Sequence, residues 1–158
     1  MRSGTKYRGQ AGHAAIEVAL MAPWIFLLFI AVFDFGFYAY TLISVENAAR
    51  VAVMHTSGDP ATADDSSFAC FYAVQELRMM NNVGNGVNCA VGCAAGSFCA
   101  AGPISVRARR LDGTNGLPFG ADGTPASEVT VSYQGFQLFP LPSLLGKLDV
   151  TRVAQMRL

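Results

Sequence analysis

From Val18 to Phe33 the chain reads VALMAPWIFLLFIAVF, without one charged residue. Asp34 interrupts, and FGFYAYTLISV carries the apolar run on to Val45. Taken from Val18 to Ile43, the stretch is about 26 residues, or roughly 39 Å as a helix, enough to cross a hydrocarbon core of about 30 Å. Trp24, Tyr38 and Tyr40 lie toward its ends, as interfacial aromatics do. A buried core helix of a soluble protein is the competing reading. It is disfavoured because no second hydrophobic helix of this length exists to pack against. Past Val45 the pattern narrows to one face: Val45, Ala48, Ala49, Ala52 and Val53 line up, with Glu46, Asn47 and Arg50 mostly elsewhere. The helix therefore continues to about Thr56, where Gly58-Asp59-Pro60 ends it. From Ala14 to Thr56 this is roughly 65 Å of helix.

A second helix is expected from about Asp65 to Met80, capped by Asp64, Asp65 or Ser66. Phe68, Phe71, Val74 and Leu77 recur at steps of three, and the polar stretch Asn81–Gly86 breaks the pattern. Three strand-like runs follow. Ile104, Val106 and Ala108 alternate with Ser105, Arg107 and Arg109; Val129, Val131 and Tyr133 alternate with Thr130 and Ser132; Val150 to Leu158 closes the chain. The fold class is α+β: a long N-terminal helix, transmembrane in its inner half, with its outer half packed on a small antiparallel sheet. Residues 58–158 form the outer domain.

Composition agrees with a membrane segment. In 158 residues, 52% are hydrophobic and 14% charged, against about 25% charged in ordinary soluble domains. The 11 basic and 11 acidic residues cancel, so no global field draws nucleic acid. The charges are unevenly placed, however. Arg2, Lys6 and Arg8 precede residue 13 with no acid among them, and the remainder carries a net charge of −3. A basic leader before a spanning helix places the N-terminus in the cytoplasm and the chain after about Val45 outside. A cleaved secretory signal would have a shorter apolar region and small residues after it. Here the run is longer, and bulky Phe35, Phe37, Tyr38 and Tyr40 follow.

The most informative residues are Gly12-His13-Ala14-Ala15-Ile16-Glu17. A carboxylate at the mouth of a membrane helix is costly. One reading leaves Glu17 in interfacial water. The other is a prepilin-type signal: cleavage after Gly12 makes His13 the first mature residue and Glu17 the fifth, and the apolar run starts directly after. The leader is then residues 1–12, and the helix takes 13–57.

At this point the chain resembles a family. Arg8–Pro23, the acid-aromatic-glycine step Asp34-Phe35-Gly36 and the step Asn47-Ala48-Ala49-Arg50 look like the start of TadE-like proteins, pilin-like components of the tight-adherence (Tad, or Flp) pilus machinery. The resemblance spans about residues 8 to 55. It departs at Val18, where Phe is usual, and at Asp34, where Glu is more frequent. It implies a pilin-like fold and leader removal by a prepilin peptidase. It also implies partners among other pilin-like subunits and the Tad inner-membrane assembly proteins, beside the lipid bilayer, and a role in surface adhesion. It gives Glu17 a partner in the freed α-amine of His13 on a neighbouring subunit, since a buried charge needs one. Pro23 removes a helix hydrogen bond and softens the span; a merely tolerated membrane proline reads the same. Asp34 is either an interfacial residue or a subunit contact.

Cys70, Cys89, Cys93 and Cys99 are even in number and fall on the expected oxidising side, which points to two disulfides. Three connectivities are possible, and each ties helical Cys70 to a loop cysteine. Free thiols are the alternative. A metal site is not, because the spacings are x3 and x5, not the x2 of a zinc ribbon. No cofactor is expected. The two histidines, His13 and His55, lack a local nucleophile and orienting acid, and no Walker, HExxH or GxSxG motif occurs. Arg107, Arg109 and Arg110 read as a solvated strand edge. Three functions remain: a non-enzymatic TadE-like minor pilin or pseudopilin; a single-pass anchored binding protein never cleaved at Gly12; and a membrane-tethered thiol enzyme using Cys89 and Cys93.

Overall fold

A computed structural model describes residues 10–80, 82–84, 86–90, 92–114, 116–135 and 149–158, with side chains from Ala14 onward. The leader charges Arg2, Lys6 and Arg8 and the side chain of His13 lie outside the described residues, as do Asn81 and Asn85 of the expected helix break. The order is α1 (Gln10–Thr56), α2 (Ser66–Leu77), β1 (Cys99–Ala101), β2 (Ile104–Leu111), β3 (Ala126–Gln134) and β4 (Asp149–Arg157). The class is α+β. The strands form one antiparallel sheet in the order β1-β2-β3-β4.

The chain divides into two compact units, residues 1–38 and 39–158, so the second begins inside α1. In the first unit the apolar side chains of α1 stand exposed on every side: Val18, Trp24, Phe26, Phe29 and Phe35 are each about two-thirds exposed or more. A helix apolar all round belongs in lipid or in another protein's core. The stretch is long and apolar enough to cross a membrane, which suggests a single-pass anchor.

In the second unit the same helix becomes one-sided. Val45, Ala48, Ala49, Ala52 and Val53 are buried in one cluster with Ala69, Ala73 and Leu77 of α2 and with Val106, Val129, Val131 and Tyr133 of the sheet. Glu46 and Arg50 lie on the wet side and form an i,i+4 ion pair at 2.6 Å. The core is therefore α1 and α2 against one sheet face. The strands alternate as the sequence pattern requires: buried Ile104, Val106 and Ala108 in β2 face Tyr133, Val131 and Val129 in β3. Tyr133, the largest enclosed side chain, satisfies its hydroxyl on Asn82 Oδ1.

Two elements differ from the sequence pattern. The second helix ends at Leu77, not near Met80; Met80 and Val83 still reach the core from the turns that follow. Strand β1 has no apolar alternation long enough to mark it. It exists because Cys99–Ala101 pairs with Val106–Ile104 across the two-residue turn Gly102-Pro103, where Gly102 takes φ 56.

The alanine face sets how closely α1 approaches its neighbours, so Ala52→Leu should destabilise the protein by about 1–3 kcal/mol through overpacking. The exposed Met54→Leu should stay within about 0.5 kcal/mol. Unfolding of the detergent-solubilised full chain, followed by circular dichroism, checks both.

Candidate assembly and processing site

The residues singled out along α1 do not converge. Gly12, His13, Glu17, Pro23 and Asp34 all lie on this single helix, which stays helical through Pro23. Glu17 and Asp34 are about 25 Å apart along the axis and roughly 100° apart around it. Glu17 is exposed and Asp34 half-buried. No ion pair to either is formed among the described residues. They form a row of separate positions along an apolar rod rather than a pocket.

The cysteines do converge. Cys70 bonds Cys89, and Cys93 bonds Cys99. Cys70 sits on the buried face of α2, so the first bridge ties that helix to the loop before β1. The second closes residues 93–99. The Cys93 N–H also donates to Ser67 Oγ at 3.2 Å, which fastens the loop to the first turn of α2. With both pairs oxidised, no thiolate stands ready at Cys89 or Cys93.

The start of α2 is built with care. Asp65 is its cap, accepting from Ser67 N–H at 2.9 Å and Phe68 N–H at 3.1 Å. Ser66 Oγ accepts from the Ala108 N–H of β2 at 3.0 Å. The end of α1 is fixed just as firmly. Thr56 Oγ1 and Ser127 Oγ lie 2.9 Å apart, and Ser127 Oγ donates to the Ala63 carbonyl at 3.0 Å, all buried. Nothing in the local sequence marks these contacts, because Thr56 and Ser127 lie on different elements.

One reading of side chains changes. Arg107, Arg109 and Arg110 do lie at the edge of β2 that β1 leaves open, but they are held there rather than simply solvated. They lie on β2, which has β3 on one side and β1 on part of the other, and all three are half-buried. Arg109 donates to Glu128 Oε1 at 2.6 Å across the ladder. His55 packs flat on Tyr72, with ring centroids 3.7 Å apart, and Phe68 and Phe71 meet Tyr72 edge-on. The hydroxyl of Thr114, then its N–H, holds the Asp112 carboxyl below its ordinary 3.8. Burial pushes the Tyr133 phenol above 10.0.

The family model described as TadE-like protein matches residues 12–54. The chain carries a TadE-like segment. The TadE-like segment opens at Gly12 and contains Glu17, Pro23, Asp34 and the step Asn47–Arg50. It ends before the first cysteine, so α2, the disulfides and the sheet lie beyond it. No curated protein and no solved structure matches the chain.

Removing a bridge tests what it holds. Loss of Cys70–Cys89 through the double Ala variant should cost about 3 kcal/mol, and loss of Cys93–Cys99 about 2 kcal/mol, because the second closes a shorter loop. Melting temperatures of the oxidised chain and the two variants, with thiol counts alongside, give the order.

Proposed function

We propose that this protein is a TadE-like minor pilin or pseudopilin that takes part in assembling Tad/Flp-type pili for surface adhesion, without enzymatic activity. One observation carries the reading. The TadE-like match begins at Gly12, five residues before Glu17, at the entrance to a helix that is apolar on all sides. The leader is residues 1–12, and a prepilin peptidase cuts between Gly12 and His13. The span at about 18–43 sits once in the bacterial inner membrane, with the basic leader in the cytoplasm. The disulfide-bonded domain then lies in the periplasm or outside, where thiols oxidise.

Two steps follow from the chain's own residues. In the bilayer the apolar side chains of α1 are solvated by lipid, while Glu17 carries a desolvation cost. On assembly, lipid is replaced by neighbouring helices, and the α-amine of His13 freed by cleavage meets the Glu17 of an adjacent subunit. That charge-assisted pair forms only after cleavage, so cleavage licenses packing. Pro23 gives the span a point of compliance, and Asp34 supplies a second polar contact further along. The reading of an uncleaved, membrane-anchored binding protein rests on the folded outer unit alone, and differs at the N-terminus.

Mass spectrometry of the mature N-terminus separates the two: a chain starting at His13 supports the pilin-like reading, and one starting at Met1 supports the anchored binder. Gly12→Val should retain the leader, because a site built around glycine has no room for a Cβ.

Glu17→Ala should insert normally but assemble poorly, with Glu17→Asp intermediate. Surface adhesion at matched membrane abundance is the readout. Parental adhesion by Glu17→Ala would reduce the glutamate to an interfacial residue.

A further inference from the structure

Beside β2 lies an open cleft of 480 Å³, lined by Asp64, Arg107, Arg109, Arg110, Asp112 and Thr114 among others. It occupies the stretch of β2 that β1 does not reach, since β1 pairs only with Ile104–Val106. Its volume falls in the range of about 300–1,000 Å³ usual for small-ligand sites. The guanidinium groups are held in place. Arg107 Nε donates to the Gly96 carbonyl at 2.6 Å, and its guanidinium carbon lies 5.3 Å from the Phe98 ring centroid. Arg109 is fixed on Glu128, whose other oxygen accepts from Gln155 Nε2 at 2.8 Å. Arg110 Nε lies 3.0 Å from Asp112 Oδ2. The facing wall is held too: the Gly96 N–H donates to the Asp64 carbonyl at 3.0 Å, within the loop that Cys93–Cys99 closes.

Each guanidinium offers five N–H donors, and these contacts use only a small part of them. The Nε atoms of Arg109 and Arg110 are enclosed without a hydrogen-bond partner among the described residues, so they are not donors to the open cleft. The cleft still presents a surplus of fixed, forked donors, the arrangement that takes a carboxylate. It also presents acceptors: the Asp64 carboxylate, which has no ion-pair partner among the described residues, and the Thr114 hydroxyl. An acidic peptide would bring its charges against Asp64 and Asp112. It could not add as a strand either, because Ser66 occupies the Ala108 N–H and Phe119 pairs with Asp112. A sugar acid answers both halves, with one carboxylate for the arginines and hydroxyl donors for the aspartate side.

We propose that this cleft binds a uronate residue of an acidic polysaccharide. The test is calorimetric titration of the detergent-solubilised full chain with a galacturonate disaccharide, the neutral galactose disaccharide and a pentaglutamate peptide. The uronide should bind at least about tenfold more tightly than either competitor, the scale of one charge-assisted contact. Asp64→Asn and Arg107→Lys should each weaken it by about tenfold; the lysine keeps the charge and the stem over Phe98 but loses the fork. Absence of uronide binding at millimolar concentration overturns the proposal. So does equal binding of the neutral sugar, peptide binding as tight as the uronide, or unchanged affinity in both variants.

Discussion

One continuous helix has to satisfy two environments, and the rest of the chain is arranged around that demand. Before residue 39 every face of α1 is apolar and exposed. From Val45 onward the apolar positions shrink to a single stripe dominated by alanine. Side-chain size matters as much as polarity in this change. Phe26, Phe29 and Phe35 present broad surface for a fluid surrounding. Ala48, Ala49 and Ala52 present almost none, so other elements come close to the helix backbone. Covering that narrow stripe requires α2 and the sheet.

The second unit is small, and its core is rich in alanine and valine, which bury little area per residue. Its stability therefore leans on cross-links between elements distant in sequence. Cys70–Cys89 joins α2 to the loop before β1, and Cys93–Cys99 braces the next loop. Ser66 reaches β2, and Thr56 with Ser127 joins the end of α1 to β3. The last two contacts fix the start of α2 and the end of α1 against the sheet. Both bridges form only in an oxidising compartment, in line with the proposed place of this domain beyond the membrane.

The TadE-like segment and the residues beyond it have different relations to the proposed function. Residues 12–54, the TadE-like match, hold the glycine, the glutamate and the apolar rod to which the proposed assembly role assigns cleavage, pairing and bundling. The cysteines and the arginine cleft lie beyond the match, in the second unit. In the proposed reading, assembly chemistry and ligand chemistry are separated along the chain, so a change in the cleft would leave the α1 helix untouched.

Local pattern alone carried much of this. An unbroken apolar run, a three-to-four periodicity and a two-residue alternation depend only on neighbours in sequence, so α1, α2, β2, β3 and β4 could be read directly. The Gly12-to-Glu17 spacing was legible for the same reason. The sequence left cysteine pairing open, because three connectivities share one spacing; only the placement of α2 over the loop brings Cys70 to Cys89. It gave no sign of β1, a three-residue strand that exists through its partner. The arginines misled for the same reason. Alternation showed that Arg107 and Arg109 share a face, but whether that face meets water depends on Glu128, Gly96 and Phe98, which arrive from elsewhere in the chain. Periodicity is a property of one segment, whereas burial, pairing and a cleft are properties of several segments meeting, and those the tertiary structure alone decides.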